Sequence, residues 1–342
     1  MKILIIGGTG LISTAISRQL LEAGHELTLY NRGETEPRLP QGYQVIRGDR
    51  VDTEAFEAQM AALEGFDAVI DMICFNPKQA ESDIRAFSGR VNQLIFCSTV
   101  DVYTKPPATF PVVESHERHA LSDYGRNKAK AEDLFMAAHA AKDFNVTIIR
   151  PASTYGEGGN IIHTFGWETY FLDRLTEGKP IIVHGDGEAL WVSCHMDDVA
   201  RAFVNALGNE KAYGKAYHVT GEEWQTWNQY HERLAEAIGA PKPSIVHIPA
   251  DLLVRISPDQ AMTTYLNFQY TNIFDNSAAK ADLDFKVTVD WKTGAKRTYD
   301  WLLENDRIQS WNKFPFYDQI IESYKQQTGE LIAELSNYHK RR

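Results

Sequence analysis

A chain of 342 residues, 43% hydrophobic and 24% charged, has ordinary globular composition and a length of about two domains, which excludes a disordered, collagen-like or disulfide-scaffolded protein. Its 35 basic and 46 acidic residues leave a formal charge of −11, a field that repels nucleic-acid phosphates and anionic lipid, so neither nucleic acid nor membrane is expected as a partner. Cys74, Cys97 and Cys194 form no C-x-x-C pair, Met1-Lys2 leads into an apolar run too short for a signal segment, and no long apolar stretch follows. These features predict no metal site and a cytoplasmic, unexported protein.

The first element is a short apolar strand, Ile3-Leu4-Ile5-Ile6, broken by Gly7-Gly8-Thr9-Gly10. Residues 11–23 then carry apolar side chains at helical spacing. The alternation continues, predicting strands at 25–30, 43–47, 67–74, 91–98 and 145–150 and helices at 53–63, 77–87 and 123–141. Continuous apolar strands such as Ala68-Val69-Ile70 and Leu94-Ile95-Phe96, set between helices, indicate a parallel sheet covered on both faces. The fold class is therefore α/β: a doubly wound, parallel-sheet Rossmann domain with a smaller, mixed C-terminal substrate domain. After Pro151 a strand at 181–184, a helix at 196–207 and a strand at 216–220 are expected to contribute to the sheet domain. Beyond Gly221, helices at 225–238, 291–305 and 318–337 stand among aromatics and prolines. The expected division is 1–175, completed by parts of 180–221, and a lid at 222–342; His339-Lys340-Arg341-Arg342 reads as a solvated tail.

Gly7-x-x-Gly10-x-x-Ser13 joins the first strand to the first helix. Glycines there permit a tight turn and close backbone approach, and the helix start offers free N–H groups to a pyrophosphate, so Gly7, Thr9, Gly10, Leu11 and Ile12 are expected to hold a nicotinamide dinucleotide. Ser13 stands where a third glycine is usual. At the end of the second strand, Asn31-Arg32 replaces the acid that usually binds the adenosine ribose. Asn31 bonds a hydroxyl without repelling a 2′-phosphate and Arg32 can pair with one, so the cofactor is NAD(P), with NADP favoured over NAD. Asp49, after the third strand, is expected at the adenine edge.

Ser98-Thr99-Val100-Asp101 leaves a buried strand, and Tyr124-Gly125-Arg126-Asn127-Lys128 opens a helix on which Tyr124 and Lys128 share a face. A phenol is a poor base at neutral pH. The ammonium of Lys128 and a positive nicotinamide ring are expected to lower its pKa, letting Tyr124 take a proton from a substrate hydroxyl that Thr99 orients.

These blocks, together with Arg150-Pro151, Tyr155-Gly156, Gly185-Asp186-Gly187 and His195-Met196-Asp197-Asp198-Val199-Ala200, resemble the extended short-chain dehydrogenase/reductase family of sugar epimerases and dehydratases. The resemblance implies Thr99, Tyr124 and Lys128 as the catalytic Ser/Thr, Tyr and Lys, with Pro151 and Ser153 flanking the nicotinamide and Tyr124 and Lys128 also touching the cofactor. It further implies a homodimer through the helices around Asp123. The Asn-Arg-Gly after strand two and Gly48-Asp49-Arg50 look most like a branch that includes chloroplast proteins described as RNA-binding. Two departures bear on substrate. Family dehydratases follow the catalytic Thr with Asp-Glu, whereas Val100-Asp101 stands here, and family epimerases clamp a diphosphate with an Arg where this chain has Trp191. Ser98, Asp101, His163 and Trp191 are the candidate substrate contacts, and the small-molecule substrate is expected to be a sugar or sugar derivative. The leading reading is an epimerase or isomerase acting through transient oxidation of a hydroxyl. The alternatives are a net reductase or dehydrogenase of a carbonyl compound and a cofactor-binding RNA-binding or regulatory protein.

Overall fold

The computed structural model describes residues 1–35, 38–63 and 65–340, with side chains as far as Ser336; the expected tail at His339 to Arg342 lies outside the described side chains. Strands β1 (Lys2–Ile6), β2 (Glu26–Asn31), β3 (Tyr43–Arg47), β4 (Ala68–Asp71), β5 (Gln93–Cys97) and β6 (Asn145–Pro151) are joined by the strand Lys215–Val219 in one seven-stranded sheet. The order is 215–219, β6, β5, β4, β1, β2, β3, and every pair is parallel. Side chains alternate along β1, so Ile3 and Ile5 enter the core on one face while Leu4 and Ile6 enter the other. Each such buried side chain contributes about 1.5–3 kcal/mol. That burial on both faces is why the strands read as unbroken apolar runs.

Helices α1 (Leu11–Glu22), α2 (Thr53–Ala61), α3 (Pro77–Phe87) and α4 (Asp123–Ala141) cover the sheet. α4 starts at Ser122, whose hydroxyl accepts the Gly125 N–H at 2.9 Å, and it ends at Lys142 in the left-handed region, φ 65°. Among the described residues, no helix is long and apolar enough to cross a membrane.

The second region is organised by aromatic packing. Tyr155, Phe165 and Tyr170 share one core with Trp227, Tyr230 and Trp291, so the lid core begins well before the expected cut at 221/222. Strand Ile181–His184 pairs in parallel with Ile245–Ile248, outside the main sheet, which of the 180–221 segment takes only 215–219. Conversely, Ala279 and Leu283 of the helix Ser277–Leu283 return to the sheet core with Phe285. The physical reason is tertiary: the rings between 155 and 191 close a core with Trp227, Tyr230 and Trp291 that no local pattern announces. The expected helix at 225–238 begins at Trp227, because Thr226 and Gln229 form a reciprocal cap that fixes its start. Three short helical segments, Ala250–Ile256, Pro258–Thr263 and the π-helical turn Thr264–Phe268, lie where the sequence shows no clear periodicity.

Candidate active site

Strand order reverses between β1 and β4, and a parallel sheet opens a crevice at the carboxyl ends of such strands. A cavity of about 670 Å³ lies there, bounded by the Gly7–Ser13 turn, the end of β5, the start of α4 and the lid. An adjoining groove of about 310 Å³ runs past Thr9, Asn31, Arg32 and Asp49.

The glycine turn is built for a dinucleotide. Gly7 has φ +86°, and a Cβ there would lie 2.5 Å from Ile73 Cγ2, so a side chain is excluded by both conformation and space. The first N–H groups of α1 have no intrahelical acceptor and face the same crevice that Leu11 and Ile12 line. Ser13 is used locally: its hydroxyl accepts the Gly10 N–H at 2.8 Å. In the groove, Asn31 accepts the Gly33 N–H on Oδ1 at 2.9 Å, while its buried Nδ2 has no partner among the described residues. A buried amide donor without an acceptor is unfavourable, and a ribose hydroxyl would satisfy it. Asp49 accepts the Val51 N–H at 2.9 Å and lines the groove, while Asp52 caps α2. The residues therefore fit a nicotinamide dinucleotide. Arg32 is exposed and pairs with Glu34 at 2.8 Å.

The β5–α4 side holds the candidate catalytic groups. Thr99 begins a short 3₁₀ turn, its hydroxyl accepting the Asp101 N–H at 3.1 Å. Gly125 lets α4 approach that turn: a Cβ there would sit 2.2 Å from the Asp101 carbonyl oxygen. This contact brings Tyr124 beside Thr99. Gly125→Ala is therefore expected to lower stability by about 1–3 kcal/mol and activity by more than folding loss explains, measured by thermal melt and turnover on the folded fraction.

In the chain alone, Lys128 by itself does not lower the Tyr124 pKa. The phenol of Tyr124 is held above its ordinary pKa, first by the protein packed around it and then by Cys97 and Asp101, with the Thr99 hydroxyl working the other way. Tyr124 is 45% exposed as a residue and borders the cavity, so burial here means dense surroundings rather than loss of all solvent. Lys128 does not reverse this in the chain alone. Its ammonium donates to the Cys97 carbonyl at 2.7 Å and lies 5.8 Å from the Tyr124 ring centroid, with the Phe75 and Phe96 rings within 5 Å.

The other predicted residues divide. Pro151, Ser153, Asp101 and Trp191 line the cavity. Ser98 also borders it, but its hydroxyl is committed to Glu132 Oε1 at 2.5 Å. Asp101 is likewise engaged, accepting from Lys105 at 3.1 Å and from Ser122 at 2.5 Å. His163 does not belong to the cavity. It is buried in the lid core, stacked on Phe171 at 4.5 Å, and burial holds its pKa well below the ordinary value, so it is a neutral packing residue. Sequence reasoning missed Phe75, Ser122, Met262, Asn267, Phe268 and Asn272, all of which line the cavity. Ser122 was legible as a helix cap next to Tyr124; the lid residues carried no local signal. Asp71, Cys74 and Asp83 also cluster, but Arg50 pairs with Asp83 at 2.8 Å and already supplies the positive charge a metal ion would bring.

Residues 3–220 match the model of the NAD dependent epimerase/dehydratase family. The 2′-dehydrokanamycin reductase of Streptomyces kanamyceticus is 29% identical over 251 residues, 73% of this chain and 70% of that protein. The chloroplast stem-loop binding protein of 41 kDa b from Arabidopsis thaliana is 33% identical over 259 residues, 72% of this chain and 65% of that one. Among solved structures, the UDP-glucuronic acid 4-epimerase of Bacillus cereus in complex with NAD superposes with a TM-score of 0.70 at 20% identity, covering 89% of this chain and 99% of that one. This chain belongs to the NAD-dependent epimerase/dehydratase family and is an enzyme of the extended short-chain dehydrogenase/reductase type.

Proposed function

We propose that this enzyme interconverts a secondary alcohol and a ketone on a sugar-like substrate, first of all as an epimerase that oxidises a hydroxyl transiently and restores it with the opposite configuration. The observation that carries the reading is the convergence of Thr99, Tyr124 and Lys128 on one cavity continuous with the Gly7–Gly10 turn. When bound, a nicotinamide dinucleotide supplies a reversible two-electron acceptor. The chain's own residues do the rest. Thr99 fixes the substrate hydroxyl, Tyr124 Oη accepts its proton as the carbonyl forms, and Lys128 adds positive charge beneath the site and a donor to the cofactor. Gly7, Thr9, Gly10, Leu11 and Ile12 would hold the pyrophosphate half, Asn31, Arg32 and Asp49 the adenosine, and Pro151 and Ser153 the nicotinamide. The apolar walls, among them Met72 and Phe75, keep water from the reacting carbon.

The Asn31-Arg32 pair supports NADP over NAD. Its pairing with Glu34 is solvent-exposed and therefore weak, so a 2′-phosphate can displace the carboxylate. Arg32→Ala is expected to weaken NADP binding by about tenfold or more while changing NAD by less than about twofold. Equal losses for both, by fluorescence titration, would remove the case for 2′-phosphate recognition.

A net reductase is the second reading, and the 2′-dehydrokanamycin reductase among the relatives supports it. Following nicotinamide absorbance and product stereochemistry in one assay separates the two: epimerisation inverts a carbon with no net absorbance change, whereas reduction consumes cofactor stoichiometrically. The name of the stem-loop binding relative raises RNA binding, against which stands the charge of −11. Tight, salt-sensitive RNA binding that is unchanged in Tyr124→Phe would favour that third reading.

A further inference from the structure

Resting on the alcohol–ketone reading above, we propose that the cavity takes an electrically neutral, phosphate-free ring compound bearing hydroxyl or keto groups, and not a nucleoside diphosphate sugar. The π-helical turn Thr264–Phe268 brings Leu266, Asn267 and Phe268 to the lid side of the cavity, which Trp167, Trp191 and Met262 also line. π-Helical turns of this kind are local distortions that re-aim side chains, often at functional sites.

Charge is the first argument. Among the described residues lining the cavity, Lys128 is the one cation, and it is buried on the catalytic side against the Cys97 carbonyl. Asp101 is the one acid, and its carboxylate is already shared between Lys105 and Ser122. The lid wall is thus apolar or neutral. A diphosphate brought against it would exchange water for hydrocarbon and aromatic surface with no counter-charge, at a cost of several kcal/mol per ion.

The polar atoms that remain are neutral and unspent. Trp191 is only 4% exposed, and its Nε1–H finds no acceptor among the described residues although the ring borders the cavity. Trp227 and Phe268, with ring centroids 4.9 Å and 5.1 Å away, fix that ring in place. Asn267 accepts from the Lys105 ammonium on Oδ1, which leaves its NH₂ as a donor. Asn272 donates from Nδ2 to the Tyr270 carbonyl at 3.0 Å, which leaves Oδ1 as an acceptor. Two neutral donors and an acceptor on an aromatic wall suit the hydroxyls and apolar C–H face of a cyclic polyol or its ketone.

The test is calorimetric titration of UDP and of UDP-glucose into the full chain saturated with NADP or NAD, so that the glycine turn is already filled. Both are expected to bind more weakly than about 1 mM. Low-micromolar binding of either would overturn the proposal. Met262→Arg, at a position 43% exposed, places a cation on the same wall and is expected to strengthen UDP binding by at least about tenfold. No gain in that variant would contradict the electrostatic argument. In a parallel screen, turnover is expected with free sugars, methyl glycosides or cyclitol ketones, and Trp191→Phe should raise KM for the accepted compound about three- to tenfold with kcat nearly unchanged. An unchanged KM would remove Trp191 from the site. The two levels separate cleanly: turnover of UDP-glucose that Tyr124→Phe abolishes refutes the neutral-ligand proposal alone, whereas turnover that survives in Tyr124→Phe refutes the catalytic assignment.

Discussion

Tyr124→Phe is expected to lower kcat by about 100-fold or more while leaving cofactor affinity within about twofold of the parent. The substitution removes one oxygen from the cavity and leaves the Gly7–Gly10 turn and the adenosine groove, which Tyr124 does not line, unchanged, so binding of the pyrophosphate and adenosine should persist. The size of the loss follows from the role: without a positioned acceptor, the hydroxyl proton must leave to water in a largely apolar cleft. The pH dependence has a definite sign. Burial holds the phenol above its ordinary pKa, so Tyr124 is protonated at neutral pH in the chain alone and the base-competent fraction grows as pH rises. Oxidation should therefore accelerate from neutral to alkaline pH, and that limb of the profile should vanish in Tyr124→Phe. Turnover at the parental rate, or an unchanged alkaline limb, would mean that another group moves the proton.

Glu132→Ala is expected to destabilise the protein by about 3–5 kcal/mol. Glu132 is fully buried and accepts from Arg150 at 2.9 and 2.6 Å, from Arg118 at 2.7 Å and from Ser98 at 2.5 Å. Removing the carboxylate leaves the Arg150 guanidinium buried beside Tyr103 with its charge uncompensated. It also frees the Ser98 hydroxyl one residue from Thr99, so activity should fall in the folded fraction as well. Replacing both partners, Glu132→Leu with Arg150→Met, should recover most of the stability, since a buried ion pair is far more costly to break than to omit. Thermal and denaturant melts check this; a single Glu132→Ala within about 1 kcal/mol of the parent would show the network to be inessential.

What the sequence made legible is what local rules control. β1, the glycine turn and α1 were readable because strand burial, a positive-φ glycine and a helix start follow one another within twenty-two residues. Tyr124 and Lys128 were readable because α4 is long and capped, and four residues of helix put them on one face. Contacts closed by the fold were not readable. The partner of Ser98 lies on α4, and the clearance that Gly125 gives the 3₁₀ turn depends on a helix meeting a loop from another strand. His163 misled because a histidine among aromatics looks like a ligand contact until its ring is seen stacked on Phe171. The lid segment 250–268 was opaque because its short helical pieces are held by tertiary packing rather than by their own periodicity. That Lys128 alone does not lower the phenol's pKa was unreadable for a related reason: nothing in the i, i+4 spacing announces that the Cys97 carbonyl takes the ammonium.

The measurement that tests the central claim most directly is an ultraviolet difference titration of tyrosinate in the parent and in Tyr124→Phe, each with and without NADP. It requires no knowledge of the substrate. Subtracting the variant from the parent isolates one phenol, which should ionise above the ordinary tyrosine range in the chain alone and at distinctly lower pH once the oxidised cofactor is present. A Tyr124 signal that does not move when the cofactor binds would contradict the account.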